Sequence, residues 1–489
     1  MFLFFRRFDC FVLLLSLFFQ ASATTAVEIT VSDAARYGNE VRRHWPKERS
    51  IDETALGKAG IRRLDGKHIA LYTDLDPSEE IDELPKWFDR LIPKLCVYFE
   101  LDVRDYDDFR VEGFLIDDFE KFKASGAVRQ VPELRNGYAQ RCRIWLRNQQ
   151  SDYYRRHLLL HEGIHAFMGY AFGAWGPPWY REGTAELLGT HQIDDKGNLC
   201  LGYFPNDRKE LHHWGRIEIV RNDFLDNRGK LPEEVFKLAS EDYDANTAYG
   251  WSWAFAAFCE HHPRYRSAFR RTAWKLDGPS DSVAKRFVEL LLRENRPTTT
   301  DSFDIRIGPS DTEIMLRFEQ DWMDFLVYLD YGYDFGRTLI EYPVSERIVT
   351  SEKSEEVRVQ ADRGWHSEGL RLERGKTYRL TASGRFQLAD KPEPWYSEPN
   401  GVTLRYCRGL PIGLLLATLV PDIEERFLAE VDTPGLDFLK PKIIGLGDVW
   451  TAEVTGTLFF RINDFASELA DNRGEAVVKI SLEKNAPPK

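Results

Sequence analysis

The sequence predicts an α+β protein in two parts: a region of mixed strands and helices, followed by a separate all-β domain. Three observations carry this. Strand-like and helix-like runs alternate from Asp65 to Leu146. Apolar residues then recur at helical spacing as far as Tyr331. After about Tyr342 the texture changes to alternating, strand-length runs punctuated by Gly and Pro. The chain has 489 residues, 43% of them hydrophobic and 13% aromatic, which suits two to three domains and excludes a disordered or fibrous protein. The 66 Lys and Arg against 79 Asp and Glu give a net charge of −13, so nucleic acid is not an expected partner. The six cysteines are scattered without a CxxC pair. They provide neither a disulfide framework nor a cysteine zinc site.

Taken in order, residues 1–23 read as a signal peptide. Arg6 and Arg7 open it, Phe11 to Phe19 is apolar apart from Ser16, and Ala21-Ser22-Ala23 marks cleavage after Ala23. The expected location is therefore secreted or periplasmic, with no stable membrane span after cleavage. Residues 24–64 are a charged N-terminal segment and a candidate pro-region. His68–Thr73 reads as a strand, Pro77–Phe99 as a helix, Phe109–Ile116 as a second strand and Phe119–Ala124 as a short helix. Arg143–Leu146 reads as an edge strand that could pair with an extended substrate. Tyr153–Phe172 is helical and ends near Gly173 and Pro177-Pro178. Further helices are expected at Glu182–Gly189, Ser252–Glu260, Ser282–Arg293 and Glu313–Tyr331. The boundary falls between Asp334 and Ser354. The strands of the last domain include Val357–Gln360, Thr377–Ala382, Thr457–Ile462 and Ala476–Leu482, an arrangement that suits a sandwich.

The helix over Tyr153–Phe172 contains His161-Glu162-Gly163-Ile164-His165. Positions i and i+4 share a helix face, so two imidazoles can converge on one ion, and Glu162 faces the same cleft as a candidate general base. Gly163 costs helix stability and could leave room near the metal. Sixteen residues separate His165 from Glu182 in GPPWYREGTAELLG. A helix starting near Arg181 places Glu182 in its first turn and Glu186 one turn on. Two His and one Glu are a known catalytic zinc set, and a further carboxylate can accept the outer N–H of a ligand imidazole. Glu186 is placed for that role; a solvated glutamate fits the same position. The alternative for the whole motif is a helix that merely carries two histidines.

HExxH followed by WxxEGxAE resembles the gluzincin peptidases, the thermolysin- and aminopeptidase-like zinc proteins also called peptidase MA-like. The resemblance covers about residues 65–335. It implies a zincin-like catalytic domain over 65–342, with an N-terminal mixed sheet and a helical subdomain. It also implies zinc held by His161, His165 and Glu182, with Glu162 as general base. The GxMEN strand motif of aminopeptidases is absent. Such enzymes use a Tyr or His to stabilise the oxyanion, and Tyr249 in AYGWSWAFAAF is the candidate here. Packing among Trp251 and Trp253 suits Tyr249 equally well. His212 and His213 are weaker candidates. Trp175, Trp179, Trp251 and Trp253 could line a cleft, although core packing is the commoner use of such residues.

After a linker at 343–354, residues 355–489 form the expected β-sandwich, a carbohydrate-binding-like domain. Within GTLFFRINDFASELADNRGEAVVKI a loop rich in oxygen ligands joins two strands. This loop resembles that of the small calcium-dependent galactose-binding bacterial lectins of the PA-IL type. The resemblance implies a calcium site at Asp464, Glu468, Asp471 and Asn472, completed by a carbonyl near Leu388. An acidic turn in solvent would have the same composition. Glu468 replaces a smaller Thr of those lectins, and no sugar-contacting His and Gln are evident. The expected function is therefore a secreted zinc-dependent peptidase in which Glu162 activates water, with a C-terminal binding module. Its cofactors are zinc and, in the last domain, calcium; its partners are peptide or protein substrates and carbohydrate. Two alternatives remain open. One is a zinc amidase acting on cell-wall material. The other is a catalytically inactive surface protein that binds carbohydrate.

Overall fold

The computed structural model describes residues 29–48, 50–126, 135–212, 214–296, 309–350, 354–428 and 437–483. The signal segment, its cleavage site and His213 lie outside these residues. The chain is mixed α and β with several sheets, and it divides into two compact units. Ser22–Asn222 and Pro232–Asn295 form one unit; Asp223–Leu231 and Arg296–Lys489 belong to the other. Among the described residues no helix is long and apolar enough to cross a membrane. Cys96, Cys142, Cys200, Cys259 and Cys407 are free thiols.

The first unit holds a five-stranded sheet. Its strands are β1 (Arg62–Asp65), β2 (Ile69–Thr73), β3 (Val111–Ile116), β4 (Gly137–Gln140) and β5 (Arg143–Arg147), in the order β1-β2-β3-β5-β4. The three central strands run parallel, and an antiparallel strand closes each edge. β2 is buried along its whole length, as a strand covered on both faces must be. The order corrects one expectation. Arg143–Leu146 lies in β5, paired on both sides, and among the described residues the edge of the sheet beside the helices belongs to β4.

Helix α1 (Leu84–Tyr98) and helix α2 (Asp152–Phe172) pack together, and α2 also lies against β4 and β5. Ser151 caps α2 by accepting from the Tyr154 N–H, and Gly173 ends it at φ 69°, a left-handed conformation that suits glycine. Residues His157 to Gly169 of α2 are all buried, which explains the near-continuous apolar run around the histidines. Helix α3 (Pro178–Gly189) starts earlier than its sequence suggests. Pro178 opens the helix instead of merely ending what precedes it, so Glu182 stands in the second turn. α3 packs against α2 on one side and against α5 (Asn246–His261) on the other, with α4 (Arg216–Leu225) nearby in sequence. The α3–α5 approach is close: a Cβ at Gly183 would lie 2.7 Å from the Ser252 carbonyl oxygen. That contact fixes the depth at which α3 presents Glu182 and Glu186.

The second unit contains helix α6 (Asp311–Tyr328) and two larger sheets. One sheet runs Asn400–Cys407, Leu410–Pro421, Gly456–Ile462, Leu370–Leu372, Arg347–Ile348, with Lys442–Ile443 added on Leu410–Pro421. The other runs Gly447–Thr451, Thr377–Ser383, Glu475–Leu482, Glu355–Gln360. Thr377–Ser383 alternates buried and exposed residues, so one face of its sheet is wet. Gly456–Ile462 is buried throughout. Ile340, Trp365, Leu414, Leu416, Phe438 and Phe459 form a core cluster here.

Candidate metal centre

Two helix faces meet at the centre. α2 carries His157, His161 and His165 one turn apart, and α3 carries Glu182 and Glu186 one turn apart. The Nε2 atoms of His161 and His165 are 3.1 Å from each other. Glu182 Oε2 lies 3.2 Å from His165 Nε2 and 3.3 Å from His161 Nε2. For a tetrahedral ion with bonds of 2.0–2.1 Å, ligand atoms stand about 3.3 Å apart. The three atoms therefore form one face of such a tetrahedron, and the donor set fits a metal ion. All three side chains are less than a tenth exposed. Three electron-rich atoms this close, away from water, require a proton or a cation between them.

The carboxylates behave accordingly. The charges and hydrogen bonds of the neighbouring histidines and of Arg181 overcome burial and hold Glu182 well below the usual carboxylate range. Arg181 donates from Nε to Glu182 Oε1 at 2.8 Å. Burial opposes a charged His161 ring, but its contacts with Glu182 and Glu186 prevail and raise its pKa to about 10. Burial lowers His165.

Glu162 points to the same space from the next position on α2 and is 5% exposed. Burial pushes its carboxyl up to about 7; His161 opposes this and Glu182 reinforces it. Its immediate neighbour is the edge strand. A Cβ added at Gly137 in β4 would lie 2.4 Å from Glu162 Oε1, so any larger residue there would force the Glu162 side chain to move. Gly163 does not have the function its position suggested. A Cβ there would meet Phe88 of α1 at 2.6 Å, so its small size serves helix packing on the side away from His161 and His165.

Glu186 is 3% exposed, not solvated. Its Oε1 is 3.4 Å from His161 Nδ1, the outer nitrogen of that ring. Arg216, at the start of α4, donates to both Glu186 oxygens, at 2.9 and 3.1 Å. Tyr249, on the first turn of α5, has its ring 6.3 Å from that of His161, and burial raises its phenol so that it stays protonated. Tyr243 packs edge-on to Tyr249 at 5.0 Å, with its hydroxyl 2.5 Å from Ser252 Oγ. Trp179, Trp251 and Trp253 are core residues, each 1% exposed or less, and line no cleft. His212 is exposed. Sequence reasoning missed His157, Arg216 and Tyr243. The His157–His161–His165 ladder was open to view as a repeat of four. Arg216 carried no signal, because 30 residues separate it from Glu186.

In the second unit the predicted loop converges only in part. Asn472 donates from Nδ2 to Asp464 Oδ2 at 3.0 Å, and both residues are buried. Asn472 Oδ1 is buried without a hydrogen-bond partner, as a carbonyl ligand of a cation would be. Glu468 turns outward into a two-point ion pair with Arg405. Asp471 Oδ2 accepts from the Asp390 N–H at 3.2 Å. Of the four residues, Asp464 and Asn472 thus lie together, with both Asp464 oxygens accepting hydrogen bonds (from Asn472 Nδ2 and the Phe465 N–H), whereas Glu468 pairs with Arg405 and Asp471 accepts from Asp390. Burial lifts the Asp464 carboxyl to about 6, against the Asn472 bond. The folded state therefore binds this proton more tightly than the unfolded chain, whose value is about 3.9. The resulting stabilisation is complete below about pH 4 and is lost as pH rises through about 6. With EDTA present, denaturant melts from pH 4.5 to 7 are expected to show a fall that Asp464→Asn removes, on the order of 2 kcal/mol. An identical pH dependence in the variant contradicts this.

No protein-family model matches the chain, and a search of curated proteins finds no match. Among solved structures, the chain is similar to the EclA N-terminal domain, described as a PllA-like lectin. The identity is 20%, covering 26% of this chain and 95% of that one, at a TM-score of 0.20. It is also similar to an aminopeptidase N family protein from Idiomarina loihiensis. There the identity is 11%, covering 87% of this chain and 69% of that one, at a TM-score of 0.25. The assignment of chemistry therefore rests on the geometry of the centre itself: a buried His/His/Glu group that could hold a metal ion, with a further glutamate beside it.

Proposed function

We propose that the chain is a zinc-dependent peptidase of gluzincin type. His161, His165 and Glu182 hold the ion, and Glu162 is the general base. The observation that supports this most is the 3.1–3.3 Å triangle of His161 Nε2, His165 Nε2 and Glu182 Oε2, with Glu162 buried between it and a strand edge. Zinc, when bound, supplies Lewis acidity toward a carbonyl oxygen and lowers the pKa of water toward neutrality.

The remaining steps belong to the side chains. Glu162 accepts the proton of the attacking water and passes it to the leaving amine, a task helped by a carboxyl raised toward neutral pH. Tyr249, protonated and facing His161, donates to the developing oxyanion. Glu186, 3.4 Å from the outer nitrogen of His161, is placed to favour a proton there and so to leave Nε2 for the ion. The edge of β4 offers backbone donors and acceptors to an extended peptide, in the place first assigned to Arg143–Leu146. The C-terminal unit serves as a binding module whose cation site is built on Asp464 and Asn472.

Digestion of a peptide library, read by mass spectrometry, tests the catalytic reading. Discrete new termini that depend on added zinc are expected; an uncut library under zinc-replete conditions contradicts the peptidase assignment. The contact between β4 and Glu162 gives a second prediction. Gly137→Ala places a methyl group against the Glu162 carboxylate, so turnover is expected to fall by roughly a hundred-fold while bound zinc is unchanged. Unchanged turnover in that variant means that Glu162 does not work from this position.

A further inference from the structure

The centre contains a second convergence of metal-ligating groups. His157, His161 and Glu186, all buried, bring ligand atoms together one turn along the same helix faces. Glu186 Oε2 is 3.6 Å from His157 Nε2, and His161 presents Nδ1 to Glu186 Oε1 at 3.4 Å. Neither ring nitrogen of His157 has a hydrogen-bond partner. On donor chemistry alone the two triads, sharing His161, would make a dinuclear centre.

Arg216 decides against that. Its guanidinium donates to both Glu186 oxygens and is 5% exposed, so it is a permanent buried cation on the carboxylate that the second triad needs. An ion on Glu186 Oε2 would lie within about 5 Å of Arg216 Nε, with little water to screen the repulsion. The wider balance agrees. Glu162, Glu182 and Glu186 face Arg181 and Arg216, so one divalent ion leaves a net charge of about +1, whereas a second would leave about +3 in a buried pocket.

We propose that Arg216 is a positioning residue of the metal centre. It holds Glu186 against His161 Nδ1, so that His161 offers Nε2 to the ion, and its guanidinium takes the place of a second metal at His157–His161–Glu186. This inference rests on the metal-site reading above and adds to it a residue 30 positions from its partner.

Native mass spectrometry and zinc–chelator competition on the full chain test it. Wild type is expected to take one zinc in this unit. Arg216→Met is expected to weaken that zinc by about 10- to 100-fold, the range for loss of a residue that orients a ligand. The loss should shrink to within a few-fold in a Glu186→Gln background, because Arg216 acts through Glu186. Arg216→Lys keeps the charge but not the two-point fork, so it should recover part of the affinity and remain measurable if Arg216→Met misfolds. Two tight zinc ions in wild type, full affinity in Arg216→Met or Arg216→Lys, or losses that multiply in the double variant each overturn the role of Arg216. Wild type with no tight zinc overturns the metal-site reading beneath it, which is a distinguishable result.

Discussion

Glu162→Gln is expected to lower peptide hydrolysis by about three orders of magnitude while the protein keeps its zinc. General-base catalysis contributes on the order of a hundred- to ten-thousand-fold, and an amide of the same shape cannot accept the proton. Glu162 is not one of the three atoms that converge in the 3.1–3.3 Å triangle, so the ligand set is untouched. Folding should be undisturbed or slightly improved, because burial already disfavours the charged carboxylate and the amide carries no charge. The check is paired: steady-state rates on a library-derived peptide, and zinc per chain in the same preparation. Residual activity near wild type would remove Glu162 from the mechanism, and loss of zinc would make it a ligand instead of a base.

Glu182→Ala is expected to have the opposite pattern, with activity lost because the ion is lost. The variant leaves two imidazoles 3.1 Å apart with no carboxylate to balance the ion, and it leaves Arg181 without its partner. A three-ligand site reduced to two should lose on the order of a thousand-fold or more in affinity for zinc. Chelator competition reads this directly. The variant is also expected to be less stable without metal, since Glu182 is the buried anion between two histidines and an arginine. Zinc affinity equal to wild type would mean that another carboxylate completes the site. Glu186 is the nearest rival, and its pairing with Arg216 and its place beside His161 Nδ1 argue against that substitution.

How much of this the sequence revealed depended on how local each signal was. The HExxH helix was legible because its two histidines, its apolar run and its terminal glycine are local to one element. The candidate carboxylate, Glu182, was legible as a residue, but the start of its helix was not. Pro177-Pro178 signals a stop for what precedes it, while a proline at the first helical position also suits a start. The sheet edge was misplaced because the apolar RIWL run looks more like a strand than the half-exposed GYAQ of β4. An edge strand needs little apolar character, and here it carries a glycine beside Glu162. Arg216 and Arg405 were invisible for another reason. Each meets its glutamate across 30 and 63 positions respectively, and nothing at either end announces the other. The acidic loop shows the same limit: spacing suggested four ligands, and folding brings Asp464 and Asn472 together but sends Glu468 to Arg405.

The central claim is that a buried His161–His165–Glu182 centre holds a single zinc ion for hydrolysis. Elemental analysis of the purified full-length chain, after removal of loosely bound metal, tests it most directly. The account predicts one zinc per chain in wild type and in Glu162→Gln, and none in Glu182→Ala. Metal-free wild-type protein that also fails to take up zinc on titration would contradict it.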